Sequence, residues 1–210
     1  MKEITRKELN QILESHEKWV NGEEGGVRAN FSKKDLRGFN LRGINFFGAN
    51  FSKANCSEAD FSGANCSKAN FQGADLSEAY CPKADFSGAN CSKADFSKAN
   101  LSRADFYEAD FSKANCSGAD FSGANCPGAD FSKANCSGAD FSGANCSGAN
   151  LSEANFSGAN CSGADFWHAN LTKADFSGAE CSGADFSKAK INKTNFTGAN
   201  VMNTIGLNLE

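Results

Sequence analysis

Ten cysteines, two histidines and a dense scatter of Ser and Asp are the residues of this 210-residue chain best able to do chemistry. Cysteine thiolates bind zinc or attack carbonyl carbon, and a Ser/His/Asp grouping hydrolyses esters and amides. Spacing argues against each of these. No C-x-x-C occurs, and the cysteines are separated by multiples of five, as in Cys116, Cys126, Cys136 and Cys146; one thiol at each such step does not build a tetrahedral zinc site. The fragment His16-Glu17-Lys18-Trp19 begins like the zinc-protease motif H-E-x-x-H, but Val20 stands where the second His belongs. There is no phosphate-binding loop, and His168 lies far from His16 in sequence. No catalytic, metal or cofactor-binding residue is therefore expected, nor a small-molecule substrate, and an enzyme is not the reading.

What places the cysteines is a repeat. Counting from Phe31 to Val201 in steps of five gives 35 consecutive pentads without insertion or deletion, each centred on Phe, Leu, Cys, Ile or Val. Ala stands two residues before the centre in 31 of them, the exceptions being Lys34, Phe39, Ile44 and Thr194. Asn or Asp stands immediately before the centre everywhere except at Tyr80, Glu180 and Lys190. Ser usually follows, then Gly or a charged residue. A period of five is neither a helix face nor an alternating strand, so it must be read as a repeat before any element is assigned.

This A(N/D)(F/L/C)SX pattern resembles the pentapeptide-repeat family over residues 29–203. The resemblance implies an all-β fold, a right-handed quadrilateral β-helix of about nine coils. Four pentads make a coil, with Ala and the centre residue pointing inward. Residues 20 apart then stack, and each complete coil places two Phe and two smaller residues inside, as in Phe111, Cys116, Phe121, Cys126 and again in Phe131, Cys136, Phe141, Cys146. A tube of fixed bore packed to crystal-like density needs that balance. All ten cysteines are centres, hence small apolar filler. Stacked pairs such as Cys116/Cys136, Cys126/Cys146 and Cys161/Cys181 point the same way rather than toward one another, and disulfides are not expected. Pentads ending in Ser-Gly suit a type II turn, whereas those ending in Ser-Lys or Ser-Glu should use another.

Residues 1–28 read as a helical cap. Thr5 with Glu8 makes a capping box, Ile4 and Leu9 a hydrophobic staple, and a helix over about 6–20 lays Leu9, Ile12, Leu13 and Trp19 over the first coil. The phase breaks after Val201, and in the closing segment 204–210 Ile205, Leu207 and Leu209 alternate as a last strand. That strand closes the rod or pairs with a second copy, giving a homodimer through the C-terminal end. The whole is read as one domain.

Two surface features remain. On the face centred on Phe31, Phe51 and onward, the last pentad residue is Lys33, Lys53, Lys93, Lys113, Lys133, Lys173 and Lys193, interrupted by Gly73 and Glu153. Such a stripe meets a polyanion or an acidic protein surface; the plain alternative is a solubility device partly neutralised by Asp35, Asp95 and Asp175. Outward Phe47, Tyr107 and Trp167 share another face, with His168 beside Trp167, as interface anchors or by accident.

The resemblance also implies DNA mimicry directed at DNA gyrase, as in members that inhibit or protect it. A mimic needs a strongly acidic surface, and residues 29–203 hold 18 Asp plus Glu against 16 Lys plus Arg. No loop interrupts the coils. The reading is therefore a non-enzymatic scaffold with an unknown protein partner. The topoisomerase modulator comes second and the polyanion binder third. Formal charge is −4, and the charged opening without an apolar run points to a cytoplasmic chain with no membrane partner.

Overall fold

The computed structural model describes residues 2–208, without the side chain of Lys2. A short strand β1 (Lys2–Glu3) leads into helix α1 (Arg6–Val20), and β1 pairs in parallel with β2 (Lys34–Asp35). From there the chain is a right-handed quadrilateral β-helix. Its rungs are single residues, each bridged in parallel to the residue 20 positions on, from Asn30↔Asn50 to Asp185↔Ile205. One pentad is one side of the square.

Backbone accounting explains the pentad. In residues 119–123, the Asp120 N–H donates back to Ala99 C=O at 2.9 Å, while the Phe121 N–H and Gly123 N–H donate forward to Asp140 C=O at 2.6 Å and Ser142 C=O at 2.9 Å. The Ala119 N–H closes the preceding turn on Cys116 C=O at 3.1 Å. Only the Ser122 N–H has no backbone acceptor, and the Asp120 Oδ1 takes it at 2.8 Å. A donor left unpaired inside the ladder costs about 1–3 kcal/mol, so the position before the centre must carry an acceptor. The exceptions obey the same rule. Glu180 accepts from the Ser182 N–H at 3.1 Å, and Tyr80, which cannot accept in this way, is followed two residues later by Pro82, which has no N–H to satisfy. Lys190 sits at the exposed end, where Asn192 is open to water.

The last pentad residue is where the sequence expectation is corrected. Every such residue from Lys33 to Asn203 has positive φ, and the 18 that are not Gly lie between +53° and +61°. The Lys113 N–H reaches Ser132 C=O at 2.9 Å, as the Gly123 N–H reaches Ser142 C=O at 2.9 Å. The coil-to-coil bond dictates one turn for all pentads, and a lysine placed there bears a left-handed strain of roughly 1–2 kcal/mol.

Inside, every centre from Phe31 to Phe186 is no more than 1% exposed. Facing phenylalanines meet edge-on, Phe111 with Phe121 at 5.9 Å and Phe131 with Phe141 at 5.8 Å, while rings one coil apart stack, Phe121 on Phe141 at 4.5 Å. The facing axis then turns by one side, since below these coils Phe156 and Phe166 take the positions that Cys136 and Cys146 hold above them. The cysteines are free and buried. Cys116 with Cys136, Cys126 with Cys146, and Cys161 with Cys181 stack one coil apart, and in each pair the neighbouring thiol helps to raise a pKa. Desolvation first, then the neighbouring thiol, pushes Cys126 and Cys136 well above the usual thiol range, so both are inert neutral filler.

At the N-terminal end, α1 carries the expected capping box, with the Glu8 N–H donating to Thr5 Oγ1 at 3.1 Å and the Thr5 N–H to Glu8 Oε2 at 2.9 Å. Ile4 and Leu9 are buried, and Ile12 and Leu13 pack partly against the first coil. Trp19 lies at the margin, stacked on His16 at 5.4 Å and on Phe47 at 6.3 Å. The residue that fills the centre of the cap is His16, 1% exposed, whose Nδ1 accepts the Ala29 N–H at 3.1 Å. The chain returns past the helix so closely that a Cβ on Gly26 would fall 2.3 Å from the Trp19 nitrogen.

At the other end, Ile205 makes the last rung, its N–H donating to Ala184 C=O at 2.9 Å and its C=O accepting from the Phe186 N–H at 2.8 Å. No strand continues: the chain turns at Gly206 (φ +72°) against Ser187. The expected alternating strand is thus one rung, because the close approach of Gly206 to Ser187 bends the backbone away; Leu207 packs partly on the core, and Leu209 lies outside the described residues.

Two outcomes follow for stability. Cys136→Phe adds a third ring to its coil and should destabilise by about 1–3 kcal/mol; an unchanged denaturation midpoint contradicts the packing rule. Burial, then the charge of Arg28, lowers the His16 pKa. The cap is therefore most stable above about pH 6.5, the unfolded value, and weakens as pH falls through the lowered folded value. Trp19 fluorescence in a Trp167→Phe background should report loosening on acidification, and a signal flat to pH 4 would contradict it.

Candidate interaction surfaces

The rod's corners carry many of its long side chains. On the first face, the corner row Lys33, Lys53, Lys93, Lys113, Lys133, Lys173 and Lys193 is exposed. Consecutive corners touch, since a Cβ on Gly73 would sit 3.7 Å from Lys53 Cγ. Among the described residues one member is ion-paired, Lys133 with Glu153 at 3.9 Å. Of the carboxylates expected to neutralise the row, Asp35 is ion-paired elsewhere, while Asp95 and Asp175 accept neutral amides and keep their charge. Asp35 pairs with Arg37 at 2.8 Å, Asp95 accepts the Asn115 amide at 3.0 Å, and Asp175 accepts the Asn195 amide at 2.9 Å. The side-chain hydrogen bond from Arg37 holds the Asp35 carboxyl below its ordinary range, and the Ser177 N–H does so for Asp175.

The aromatic face divides. Tyr107 and Trp167 stand 50% and 44% exposed. Trp167 packs edge-on against His168 at 4.0 Å, with Lys188 Nζ 5.5 Å above its ring. Phe47 does not join them as a free anchor. It is half-buried, sandwiched between Trp19 and Lys68 Nζ, 5.6 Å from its ring centre, because α1 crosses its face. Tyr80, 47% exposed, is an aromatic that sequence reasoning missed as a surface feature. The signal was its intrusion into the Asn/Asp position two residues ahead of Pro82.

Concavities lie beside the cap. A groove of 510 Å³ between α1 and the first coil is lined by Leu13, Val20 and Ile44 with Glu14 and Glu17. Among the described residues no cluster of three His, Cys, Asp or Glu could hold a metal ion, and no helix is long and apolar enough to cross a membrane. At the C-terminal end, Ile191, Phe196 and Val201 are only partly buried, and Met202 and Ile205 are 67% and 57% exposed.

The family model for pentapeptide repeats matches eight overlapping copies running from residue 27 to residue 201. The chain belongs to the pentapeptide-repeat family. Comparison with curated proteins gives no match. Among solved pentapeptide-repeat structures, HetL, involved in heterocyst differentiation regulation in Nostoc sp. strain PCC 7120, is 26% identical, with 96% of this chain and 92% of that one covered and a TM-score of 0.48. QnrB1, a plasmid-mediated fluoroquinolone resistance protein, is 23% identical over 85% of this chain and 84% of its own, with a TM-score of 0.51. A pentapeptide repeat protein of the Arabidopsis thaliana thylakoid lumen is 36% identical over 47% of this chain and 68% of its own, with a TM-score of 0.46. QnrB1 shares the fold; its identity is too low to carry more. What distinguishes this pentapeptide-repeat rod lies in its corners and outward positions, because the Ala, Asx, centre and Ser positions are set by the repeat.

Proposed function

We propose that this pentapeptide-repeat protein is a non-catalytic scaffold that binds a protein partner along its rigid rod. The observation that carries the reading is the filled interior: each coil from Phe31 to Phe186 is packed solid, and what the rod presents outward is a regular lattice of turns with a few raised side chains. Tyr107 and Trp167 are the anchors of that surface, large apolar bodies whose backbone N–H groups are already satisfied by Asp105 at 2.9 Å and Asp165 at 2.8 Å. The partly buried last coil supports a homodimer joined at the C-terminal end. A topoisomerase modulator acting by DNA mimicry is the weaker reading, since residues 29–203 carry a net charge of −2 and seven of the nine residues of one corner are Lys.

Tyr107→Ala with Trp167→Ala tests the scaffold reading, because both side chains are exposed and their loss should leave folding within about 0.5 kcal/mol. Cross-linking in the source cells should capture a partner with the wild type and lose it with the double variant. Equal capture by both would remove these anchors from the account. A gyrase supercoiling assay run alongside should show no inhibition, and inhibition would instead establish the DNA-mimic reading.

A further inference from the structure

The lysine row from Lys33 to Lys193 is unfavourable to the fold twice over. Each lysine holds a left-handed turn, φ +57° to +61°, that Gly occupies freely at 17 other corners. Each also stands one rung from a like charge over much of the row, and only Lys133 has an ion-pair partner among the described residues. The β-helix does not need lysine there, because equivalent corners on the second and third faces are Gly over several successive coils, as at Gly118, Gly138 and Gly158. Outside this corner, residues 29–203 carry 17 acidic and 9 basic residues, so positive charge is gathered onto one edge of an otherwise acidic rod.

The row's shape restricts what can satisfy it. It is single-file, straight and about 38 Å long at the usual inter-strand spacing. The column of residues immediately before it is uncharged, Ser, Gln, Thr and Asn, and no aromatic stands on that face to stack a base. A straight line of point cations matches one extended chain of anions. The strands of a duplex wind away from such a line, and a single strand does not. We infer that this corner binds the phosphate backbone of single-stranded nucleic acid, independently of base sequence. This inference does not rest on the protein-scaffold reading, which uses a different face.

Fluorescence anisotropy with a 20-nucleotide oligo(dT), from 20 to 200 mM NaCl, tests it. Each phosphate neutralised on a single strand contributes about −0.7 to the slope of log K against log salt, so the row gives a slope of about −3 to −5. Lys93→Gly/Lys113→Gly/Lys133→Gly should flatten the slope by about 2 and weaken binding at least about tenfold at 50 mM salt. The same variant should unfold at higher denaturant than the wild type, since Gly relieves the turn, so lost binding could not be ascribed to lost folding. Lys68→Gly/Lys98→Gly/Arg103→Gly removes equal charge from other faces and should leave the slope unchanged. No binding at 20 mM salt, equal loss in the two triple variants, or capture of phosphatidylserine vesicles or inorganic polyphosphate in place of the oligonucleotide would each overturn the inference.

Discussion

Each pentad has five backbone N–H groups and only four backbone acceptors within reach, and that shortfall of one organises the molecule. The coils before and after and the tight turn take four donors; the N–H after the centre residue must find a side chain. Asn and Asp supply the oxygen from two residues back, as Asp120 does for Ser122. Once that bond is in place the turn geometry is fixed, the centre residue points inward and the next pentad begins a quarter-turn on. The ladder then imposes left-handed backbone at every corner, whether the residue is Gly143 or Lys133.

A constant backbone makes a constant bore, and the interior must fill it. Two rings and two smaller groups per coil do so, with buried neutral thiols serving among the small groups. Because interior packing is close to that of organic crystals, a turn of the facing pair of rings must be matched at the other positions of the coil, either at once or through a coil such as that of Phe71 and Phe86, where the two rings stand on neighbouring sides. Where Phe156 and Phe166 take over from the cysteines of the coil before, Leu151 and Cys161 replace Phe131 and Phe141 in the same step. The ends are governed by the same ladder. One is closed by α1 with His16 supplying an acceptor to Ala29, while the other ends on the single rung at Ile205 with its last coil partly exposed.

Much of this was legible in the sequence because each pentad position has one physical task and a narrow choice of residues for it. The helix, observed from Arg6 to Val20, followed from the capping box of Thr5 and Glu8 and the apolar face of Leu9, Ile12, Leu13 and Trp19. What was illegible depended on distant partners. Lys113 in isolation gives no sign of a left-handed turn, since intrinsic preference points elsewhere and only the bond to Ser132 enforces it. His16 on a helix face does not announce that its nitrogen receives an amide from the first coil. Phe47 looked free because the path of α1 over it is a tertiary fact. The surface rows were readable once four pentads were taken as one coil, whereas the pairing of Asp35 with Arg37 was not.

The central claim is that the residue before the centre is there to accept one N–H, and a double-mutant cycle tests it most directly. Asp120→Ala should cost about 1–3 kcal/mol by orphaning the Ser122 N–H. In a Ser122→Pro background, which removes the donor as Pro82 and Pro127 do in their own pentads, the same substitution should cost far less. A strong coupling between the two sites, read from chemical denaturation, is the result this account predicts; equal cost of Asp120→Ala in both backgrounds would contradict it.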